Sequence, residues 1–272
     1  MSDPGRLEQL ASRTVSDFGD QWTYFRENPG YYGSIELLRD LFAPLVAVSE
    51  FAGTRVVDIG SGTGRIVRML AAAGARQIVA VEPSEAFAVL EENTRDLGDR
   101  VLCIRATGDR FEIDEAADWV LSIGVLHHIP EPAAVVSKMF SVLRPGGRAA
   151  VWLYGREGNR LYLALAGPLR ALTSRLPHAA LVALCRLLDV PLAGYVALCR
   201  VIPLPMRRYM REHVARLSPS VRRITIYDQL NPSWAKYYTY QEARALLEEA
   251  GFINVRLHHR NGYSWLVVAQ KV

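Results

Sequence analysis

Short apolar runs alternate with segments of helical periodicity through the middle of the chain. Between residues 55 and 154, five short runs are rich in β-branched and other apolar side chains, and longer segments between them repeat apolar residues at helical spacing. This alternation predicts βαβ units and a parallel sheet that helices cover on both faces. The predicted strands are Arg55–Ile59, Gln77–Val81, Val101–Ile104, Trp119–Ile123 and Arg148–Tyr154.

Helix starts in this region are indicated by capping residues. Ser34 precedes an apolar repeat that we expect to form a helix ending at Gly53, and Ser84 is expected to cap a helix that extends to Leu97. A third helical segment, Ala133–Leu143, runs into the glycine-containing turn that precedes the fifth predicted strand. These helices are of the right length to connect parallel strands.

The alternation stops after Tyr154. The pattern of residues 156–223 predicts apolar helices broken at Pro168, Pro177, Pro191, Pro203 and Pro205, and a helix capped by Thr239 follows. Two further strand-like runs, Phe252–His258 and Tyr263–Gln270, are joined by a turn at Asn261-Gly262, so they must be antiparallel to each other. The predicted fold is therefore α/β, with a seven-stranded, mostly parallel sheet, a C-terminal antiparallel hairpin and a helical cap insertion.

Composition limits the class of protein. The chain has 272 residues, of which 50% are hydrophobic and 22% are charged, so it can bury a large core and is not disordered as a whole. Its formal net charge of +4 does not by itself indicate a nucleic-acid partner. Three scattered cysteines and an N-terminus without an apolar core predict a reduced, cytoplasmic location. No metal site is predicted, because no cysteine or histidine spacing suits one.

The turn after the first predicted strand is rich in glycine. It reads VVDIGSGTGR, with glycines at 60, 62 and 64 and an acid, Asp58, two residues before the first of them. Dinucleotide-binding loops have G-x-G-x-x-G, and here Arg65 stands where that pattern has its third glycine. An acid at this place would repel a diphosphate but suits an α-amino group. Glu82, at the end of the second predicted strand, suits the hydroxyls of a ribose.

These residues, the Pro83-Ser84 pair after Glu82, and the later segments VLHHI and LRPGG closely resemble the class I S-adenosylmethionine-dependent methyltransferases. The resemblance covers residues 56–154 and implies a Rossmann-like sheet, S-adenosylmethionine as the cofactor and S-adenosylhomocysteine as the product. Two alternatives stay open: a protein of the same fold that binds the cofactor without catalysis, and an NAD-dependent oxidoreductase.

The resemblance also implies a set of cofactor-binding residues. The glycine loop and Asp58 would hold the methionine part, Glu82 the ribose and Pro83 the adenine. The family's adenine-binding acid after the third strand falls near Thr107 here, with Gly108 and Asp109 next. The tip of the fourth strand would face the sulfonium, and an aromatic residue of an N-terminal lid would cover it. The candidates are Trp22, Asp58, Gly60, Ser61, Gly62, Gly64, Glu82, Pro83, Thr107, Gly108, Asp109, Ser122 and Ile123.

Few residues are candidates for the chemistry. Methyl transfer from a sulfonium needs mainly an oriented nucleophile and an absence of water, and a base only where the nucleophile carries a proton. His127 and His128 follow the fourth strand at the edge where α/β sheets hold ligands, and either could be that base. Tyr154, which ends the fifth strand, could orient an acceptor.

Residues 156–223 are both basic and apolar. Twelve arginines and three acidic residues give this segment a charge of +9. Apolar helices with arginines fit a cap over a small or lipid-like acceptor, or peripheral contact with an anionic membrane, and nucleic acid is not expected. We expect a loop after it to supply acceptor contacts from Asp228, Asn231, Tyr237 and Tyr238.

The resemblance and these patterns divide the chain into four parts. They are an N-terminal lid (residues 1–33), a cofactor-binding core (34–155), a helical cap insertion (156–235) and the C-terminal part of the core (236–272).

Overall fold

A computed structural model describes residues 4–174 and 176–272. Residues 1–3 of the predicted lid and Arg175 of the predicted cap lie outside the described residues. The helices are α1 (Pro4–Tyr24), α2 (Ile35–Phe42), α3 (Arg65–Ala72), α4 (Phe87–Thr94), α5 (Ala133–Val142), α6 (Arg160–Thr173), α7 (His178–Val201), α8 (Arg207–Glu212), α9 (Pro219–Leu230) and α10 (Tyr240–Glu248). The strands are β1 (Arg55–Ile59), β2 (Gln77–Val81), β3 (Val101–Ile104), β4 (Ala117–Ile123), β5 (Leu143–Tyr154), β6 (Ile253–Arg260) and β7 (Ser264–Gln270).

Seven strands form one sheet in the order β3-β2-β1-β4-β5-β7-β6. The first five pair in parallel, whereas β7 is antiparallel to both of its neighbours, β5 and β6. The predicted fold class is therefore confirmed, including the C-terminal antiparallel hairpin. The carboxyl ends of β1, β2, β4 and β5 meet at one edge of the sheet, which is where open α/β sheets bind ligands.

Both faces of the sheet are covered. Val56 and Val57 are neighbours in β1 and are both fully buried, but they belong to different core clusters because successive strand side chains point to opposite faces. On one face Val56 lies in a core with Leu38 of α2, and on the other Val57 lies in a core with Val136 of α5. Burying each of these aliphatic side chains contributes about 1.5–3 kcal/mol.

The predicted helix boundaries are partly wrong. The helix capped by Ser34 ends at Phe42, well before Gly53, because Pro44 cannot continue it. Similarly, the helix expected from Ser84 to Leu97 begins at Phe87 and ends at Thr94. The N-terminal segment, for which the pattern predicts no helix, forms the 21-residue α1.

Helices α6 to α9 follow β5 and occupy the predicted insertion. Helices α7 and α9 pack against each other around a small core that contains Leu181, Cys185 and Tyr227. By length and composition, α7 could cross a membrane, and no other helix in the described part of the chain could. Little of its most apolar stretch is buried inside the protein.

Candidate active site

The loop between β1 and α3 requires its glycines. Gly60, Gly62 and Gly64 have φ angles of +76°, +53° and +80°, a left-handed conformation that side chains disfavour. A Cβ added to Gly60 would also lie 2.5 Å from Cγ2 of Val125. The loop therefore keeps a bare backbone at the carboxyl end of β1, where a ligand can approach closely.

Glu82 connects this loop to the end of β2. Its side chain is buried, and Oε2 accepts a hydrogen bond from the Gly62 amide at 2.8 Å. Oε1 accepts from the amide of Ser84 at 2.9 Å and from its hydroxyl at 2.5 Å. A carboxylate oxygen can accept two hydrogen bonds, so Oε2 retains capacity for one ligand hydroxyl.

Asp58 is buried at the middle of the same sheet edge. Its Oδ2 has no hydrogen-bond partner among the described residues, and burial raises the pKa of the carboxyl group to about 7. A buried, unpaired carboxylate is unfavourable, and a cationic amino group beside it would supply the missing partner. This orphaned oxygen fits an amino-acid ligand better than a diphosphate.

A cavity of about 1190 Å³ extends from the glycine loop to the cap helices. Its volume exceeds the range of about 300–1,000 Å³ typical of small-molecule pockets, so it has room for a cofactor and an acceptor together. Of the predicted site residues, Trp22, Gly60, Ser61, Gly62, Glu82, Pro83, Thr107, Gly108, Asp109, Ile123, His128 and Tyr154 line it. Asp58, Gly64, Ser122 and His127 are not among its lining residues.

Helix α1 lies across the cofactor half of this cavity. The indole of Trp22 is in contact distance of Gly62, where an added Cβ would lie 3.4 Å from Cδ1 of the ring. The Phe18 ring meets His128 edge-on, with the ring centroids 4.7 Å apart. Two further aromatic residues of the N-terminal segment, Tyr24 and Phe25, contact the cap instead.

The structure separates the two candidate histidines. Both nitrogens of His127 are buried without a partner among the described residues, and burial lowers its pKa well below the ordinary value. His128 lines the cavity, and its Nδ1 lies 2.9 Å from the carbonyl oxygen of Trp234. Because that oxygen can only accept, Nδ1 carries the proton and Nε2 is left as an acceptor. Burial lowers the pKa of His128 to about 4, so the ring is neutral near pH 7.

A polar network faces His128 from the cap side. The Tyr154 hydroxyl donates to Oδ2 of Asp228 at 2.9 Å, and Nε2 of Gln229 donates to the same hydroxyl at 2.8 Å. The Tyr237 ring stacks on Tyr154 with centroids 5.2 Å apart. The four residues of this network (Tyr154, Asp228, Gln229 and Tyr237) line the cavity, and their hydroxyl, carboxylate and amide groups can orient a polar acceptor.

The predicted acceptor loop is partly wrong. Asp228 lies in the last turn of α9, because that helix continues to Leu230. Asn231 and Tyr238 are not among the lining residues: the Asn231 amide donates to the carbonyl oxygen of Asp17, and Tyr238 is buried in the core beneath the sheet edge. Only Asp228 and Tyr237 of the four expected contacts line the cavity.

Sequence reasoning missed several cavity residues. Gln229, His213 and Arg260 line the acceptor half, although none belongs to a recognisable motif. Arg260 offered one signal: it ends a strand whose carboxyl end reaches the ligand edge. The α1 contribution was also detectable, since Leu7, Ala11, Val15, Phe18 and Trp22 recur at helical spacing and all line the cavity. No group of three or more metal-ligand side chains occurs within residues 4–174 and 176–272.

Residues 57–151 match the protein family described as "Methyltransferase domain". An uncharacterized methyltransferase of Mycobacteroides abscessus is 33% identical over 144 residues, which cover 49% of this chain and 55% of that protein. A ubiquinone biosynthesis O-methyltransferase of Aromatoleum aromaticum is 31% identical over 43% of this chain and 50% of that protein. The chain thus spans about half the length of the curated relatives it matches.

Solved structures share the fold at low identity. A magnesium protoporphyrin IX methyltransferase of Synechocystis, solved with bound S-adenosylhomocysteine, superposes with a TM-score of 0.54 at 16% identity over 93% of this chain and 94% of that one. The 1,6-didemethyltoxoflavin-N1-methyltransferase of Burkholderia thailandensis superposes with a TM-score of 0.55 at 15% identity over 100% of this chain and 92% of that one.

The matched segment, 57–151, begins in β1 and ends in β5, so it contains the glycine loop, Glu82 and the histidine pair. The strand order and the geometry of the loop agree with the same assignment. Residues 57–151 are thus similar to a methyltransferase domain, and the chain shares the fold of the solved S-adenosylmethionine-dependent methyltransferases.

Proposed function

We propose that this protein transfers the methyl group of S-adenosylmethionine to an oxygen, nitrogen or carbon nucleophile of a small or lipid-like acceptor. The observation that carries the proposal is the glycine loop held by Glu82, which opens into a cavity large enough for both molecules. When bound, the cofactor supplies an activated methyl group. The alternatives, a non-catalytic cofactor-binding protein and an NAD-dependent oxidoreductase, become outcomes of the tests.

The residues of the loop would bind and orient the cofactor. The unpaired Oδ2 of Asp58 suits the α-amino group, directly or through water, and the spare acceptor position on Oε2 of Glu82 suits a ribose hydroxyl. Pro83, Thr107, Gly108 and Asp109 line the part of the cavity next to Glu82, where the adenine would lie. Helix α1 would exclude water, with Trp22 over the loop as the aromatic lid.

On the acceptor side, His128 would act as the base where the nucleophile carries a proton. Its Nδ1–H bond to Trp234 fixes the ring, and the neutral ring presents Nε2 as a proton acceptor. Tyr154 and Asp228 would orient the acceptor. His127 supports this arrangement by packing against the Tyr154 ring, at a centroid distance of 3.8 Å, and is not proposed as the base.

Calorimetric titration with S-adenosylmethionine, S-adenosylhomocysteine and NAD⁺ tests the cofactor assignment. We expect the first two to bind and NAD⁺ not to bind. Glu82→Gln should weaken S-adenosylhomocysteine binding at least tenfold, about 1.4 kcal/mol, because an amide cannot accept from both the loop and Ser84. Glu85→Gln is the matched control, since Glu85 is exposed and pairs with Arg105. Binding of NAD⁺ alone would refute the proposal.

Turnover then separates an enzyme from a cofactor-binding protein. Acceptor mixtures, including lipid extracts, are incubated with S-adenosylmethionine carrying a labelled methyl group, and the label is followed into the product. Transfer that is lost in Glu82→Gln and kept in Glu85→Gln supports catalysis. Cofactor binding without transfer to any acceptor would support the non-catalytic alternative.

We also propose that the cap rests on an anionic membrane surface, which would bring lipid-like acceptors to the cavity. Helix α7 exposes an uncharged stripe at helical spacing, in which Leu187, Val190 and Val201 are 69%, 71% and 77% exposed. Arg186 and Arg200 are exposed on the same helix, so the surface combines apolar and cationic groups.

Co-sedimentation with phosphatidylglycerol vesicles tests this contact. Val190→Glu should reduce the bound fraction strongly, because a charge in the apolar stripe opposes insertion between lipids. The matched control is Leu102→Glu, which changes an exposed leucine on β3, outside the cap. Equal binding of both variants and the unaltered protein, or no binding to vesicles, would contradict membrane contact. The predicted cytoplasmic location remains a prediction.

A further inference from the structure

One wall of the acceptor half has no role in the reaction proposed above. It is formed where the end of β6 meets the turn after α8, and it includes Arg260, Tyr263, Tyr209 and His213. All four residues line the cavity. Arg260 ends β6, which is separated in the sheet by three strands from β1 and the glycine loop that follows it.

Arg260 is a buried cation without a described counter-charge. It is 5% exposed, its Nε donates to the backbone oxygen of Asp40 at 2.9 Å, and its Nη1 donates to the Tyr263 hydroxyl at 3.1 Å. Both acceptors are neutral, and within the described residues no carboxylate lies within ion-pair distance of the guanidinium. Its Nη2 has no hydrogen-bond partner there either. A buried guanidinium in this state gains strongly from an anion.

His213 adds a second unsatisfied group to the same wall. Its Nδ1 is buried and has no hydrogen-bond partner among the described residues. The ring is held by stacking on Tyr209, at a centroid distance of 5.3 Å, and by edge contact with Tyr31. A neutral imidazole can carry its proton on Nδ1 and donate it to a ligand.

The charges around His213 are mostly positive. Burial, together with the charges of Arg260, Arg65 and Arg216, lowers the pKa of His213 to about 3. Asp40 is the one described acid that acts in the opposite direction, and its carboxylate already accepts hydrogen bonds from Tyr31 and Arg216. The wall therefore presents positive potential and the unpaired Nη2 of Arg260 to the cavity, with His213 Nδ1 as a further unpaired group buried in the wall. This arrangement is complementary to an oxyanion.

We propose that Arg260 and His213 form an anion-binding subsite, which holds a carboxylate or phosphate group of the acceptor while the nucleophile lies near His128. This inference rests on the proposed function, because it assigns the chemical class of the acceptor. Arg65 is not included, since it directly follows the glycine loop and acts on Asp58, on the cofactor side. The guanidinium fork suits either oxyanion.

The experiment uses the full chain saturated with S-adenosylhomocysteine, after binding of that ligand has been verified. The probes are 1-naphthoate, 1-naphthyl phosphate and the neutral 1-naphthamide, and their dissociation constants are measured by fluorescence titration. At least one anion should bind about tenfold more tightly than the amide, as expected for a charged hydrogen bond. A preference for naphthoate indicates a carboxylate acceptor, and a preference for naphthyl phosphate indicates a phosphorylated one.

The variants separate the subsite from general surface charge. Arg260→Gln should abolish the preference for the anion, whereas Arg256→Gln should retain it. Arg256 is the matched control because it lies on the same strand, is exposed and does not line the cavity. A merely structural role of Arg260 would weaken all three probes together and leave their ratio unchanged.

His213→Phe keeps a ring for stacking on Tyr209 and removes the Nδ1 donor, so it provides a second test if Arg260→Gln does not fold. This variant should reduce the preference for the anion over the amide about threefold, because it removes one hydrogen bond to the anion. Equal binding of anions and amide by the unaltered protein would overturn the subsite, as would an unchanged preference in a folded Arg260→Gln or, failing that, in His213→Phe. Failure to bind S-adenosylhomocysteine would instead count against the proposed function.

Discussion

Asp58 shows how a single residue can couple cofactor binding to protonation. Burial raises its pKa to about 7, and Oδ2 has no partner in the described part of the chain. A cationic amino group placed beside the carboxylate would lower that pKa again. Binding should therefore favour the ionised form, and a fraction of the molecules must release a proton when the ligand enters.

We predict that S-adenosylhomocysteine binding at pH 6.5 releases up to one proton. Calorimetry in buffers of different ionisation enthalpy measures this number directly. The affinity should rise as the pH increases through about 7 and then become constant, because Asp58 is already ionised above that range. Asp58→Asn should bind more weakly and without proton release. Proton release that persists in this variant would show that another group is responsible.

His128 makes a separate prediction at the residue scale. Replacement by Asn removes the proton acceptor and leaves an amide that can still donate toward the Trp234 carbonyl. For an acceptor with a hydroxyl or amine proton, kcat should fall by about 10²–10⁴-fold, the usual contribution of a general base. S-adenosylhomocysteine affinity should stay the same.

The control for this prediction is His258→Asn, because His258 is on β6 and does not line the cavity. In the unaltered protein, kcat should not vary with the ionisation of His128 between pH 6 and 8, since its pKa of about 4 lies below that range. A residual kcat near that of the unaltered protein would exclude His128 as the base.

The site residues that could be predicted from the sequence are those that lie in short motifs at the ends of predicted strands. The glycine loop and Glu82 lie at strand ends, so their meeting follows from the parallel order of β1 and β2. The Arg260–His213 pair has no such local signature. Arg260 reaches the cavity through β6, and His213 follows a short helix in an insertion, so only the folded chain brings them together.

At the scale of elements, capping residues predicted helix starts better than apolar spacing predicted helix ends. Ser34 accepts from the Leu37 amide, as an N-cap residue should, but the end of that helix depends on Pro44. Helix α1 was missed because aromatic and polar residues are mixed along it. Its apolar side faces a cavity instead of a core, so polar residues such as Glu8 and Ser12 are tolerated there.

Thr239 gives the clearest test of an element. Its hydroxyl accepts from the Glu242 amide at 3.2 Å, and the Glu242 carboxylate accepts from the Thr239 amide at 2.8 Å, which is a complete capping box at the start of α10. Thr239→Ala should lower the free energy of unfolding by about 1 kcal/mol in urea titrations. Ser16→Ala, a change at an exposed position of α1 away from any helix cap, is the control. An unchanged stability in Thr239→Ala would mean that tertiary packing alone fixes this helix.

At the scale of the whole molecule, buried histidines should make stability depend on pH. The pKa values of His128 and His213 are lowered to about 4 and 3, and that of His127 is lowered as well, all chiefly by burial. Below about pH 6.5 the unfolded chain protonates these rings while the folded protein does not. Each ring then lowers the free energy of unfolding by ~1.4 kcal/mol per pH unit as the pH falls.

Asp58 opposes this effect in the free protein. Because its pKa is raised, the folded state retains a proton between about pH 4 and 7 that the unfolded state has lost, so this group adds stability as the pH falls. The three histidines lower the free energy of unfolding on acidification and Asp58 raises it. Together they lower it by at most about 3 kcal/mol per pH unit between pH 6.5 and 5. Urea midpoints measured at pH 7.5, 6.5 and 5.5 should therefore decrease steeply.

Ligand binding at the cofactor site provides a second, independent test of this pH dependence. With saturating S-adenosylhomocysteine, Asp58 should already be ionised, so its opposing contribution disappears and the loss of stability on acidification becomes steeper than in the free protein. His213→Phe should make the dependence shallower in both states by removing one titrating ring. A urea midpoint that does not change between pH 7.5 and 5.5 would show that these histidines are protonated in the folded protein. If stability depends on pH equally with and without ligand, Asp58 does not contact the amino group of the ligand.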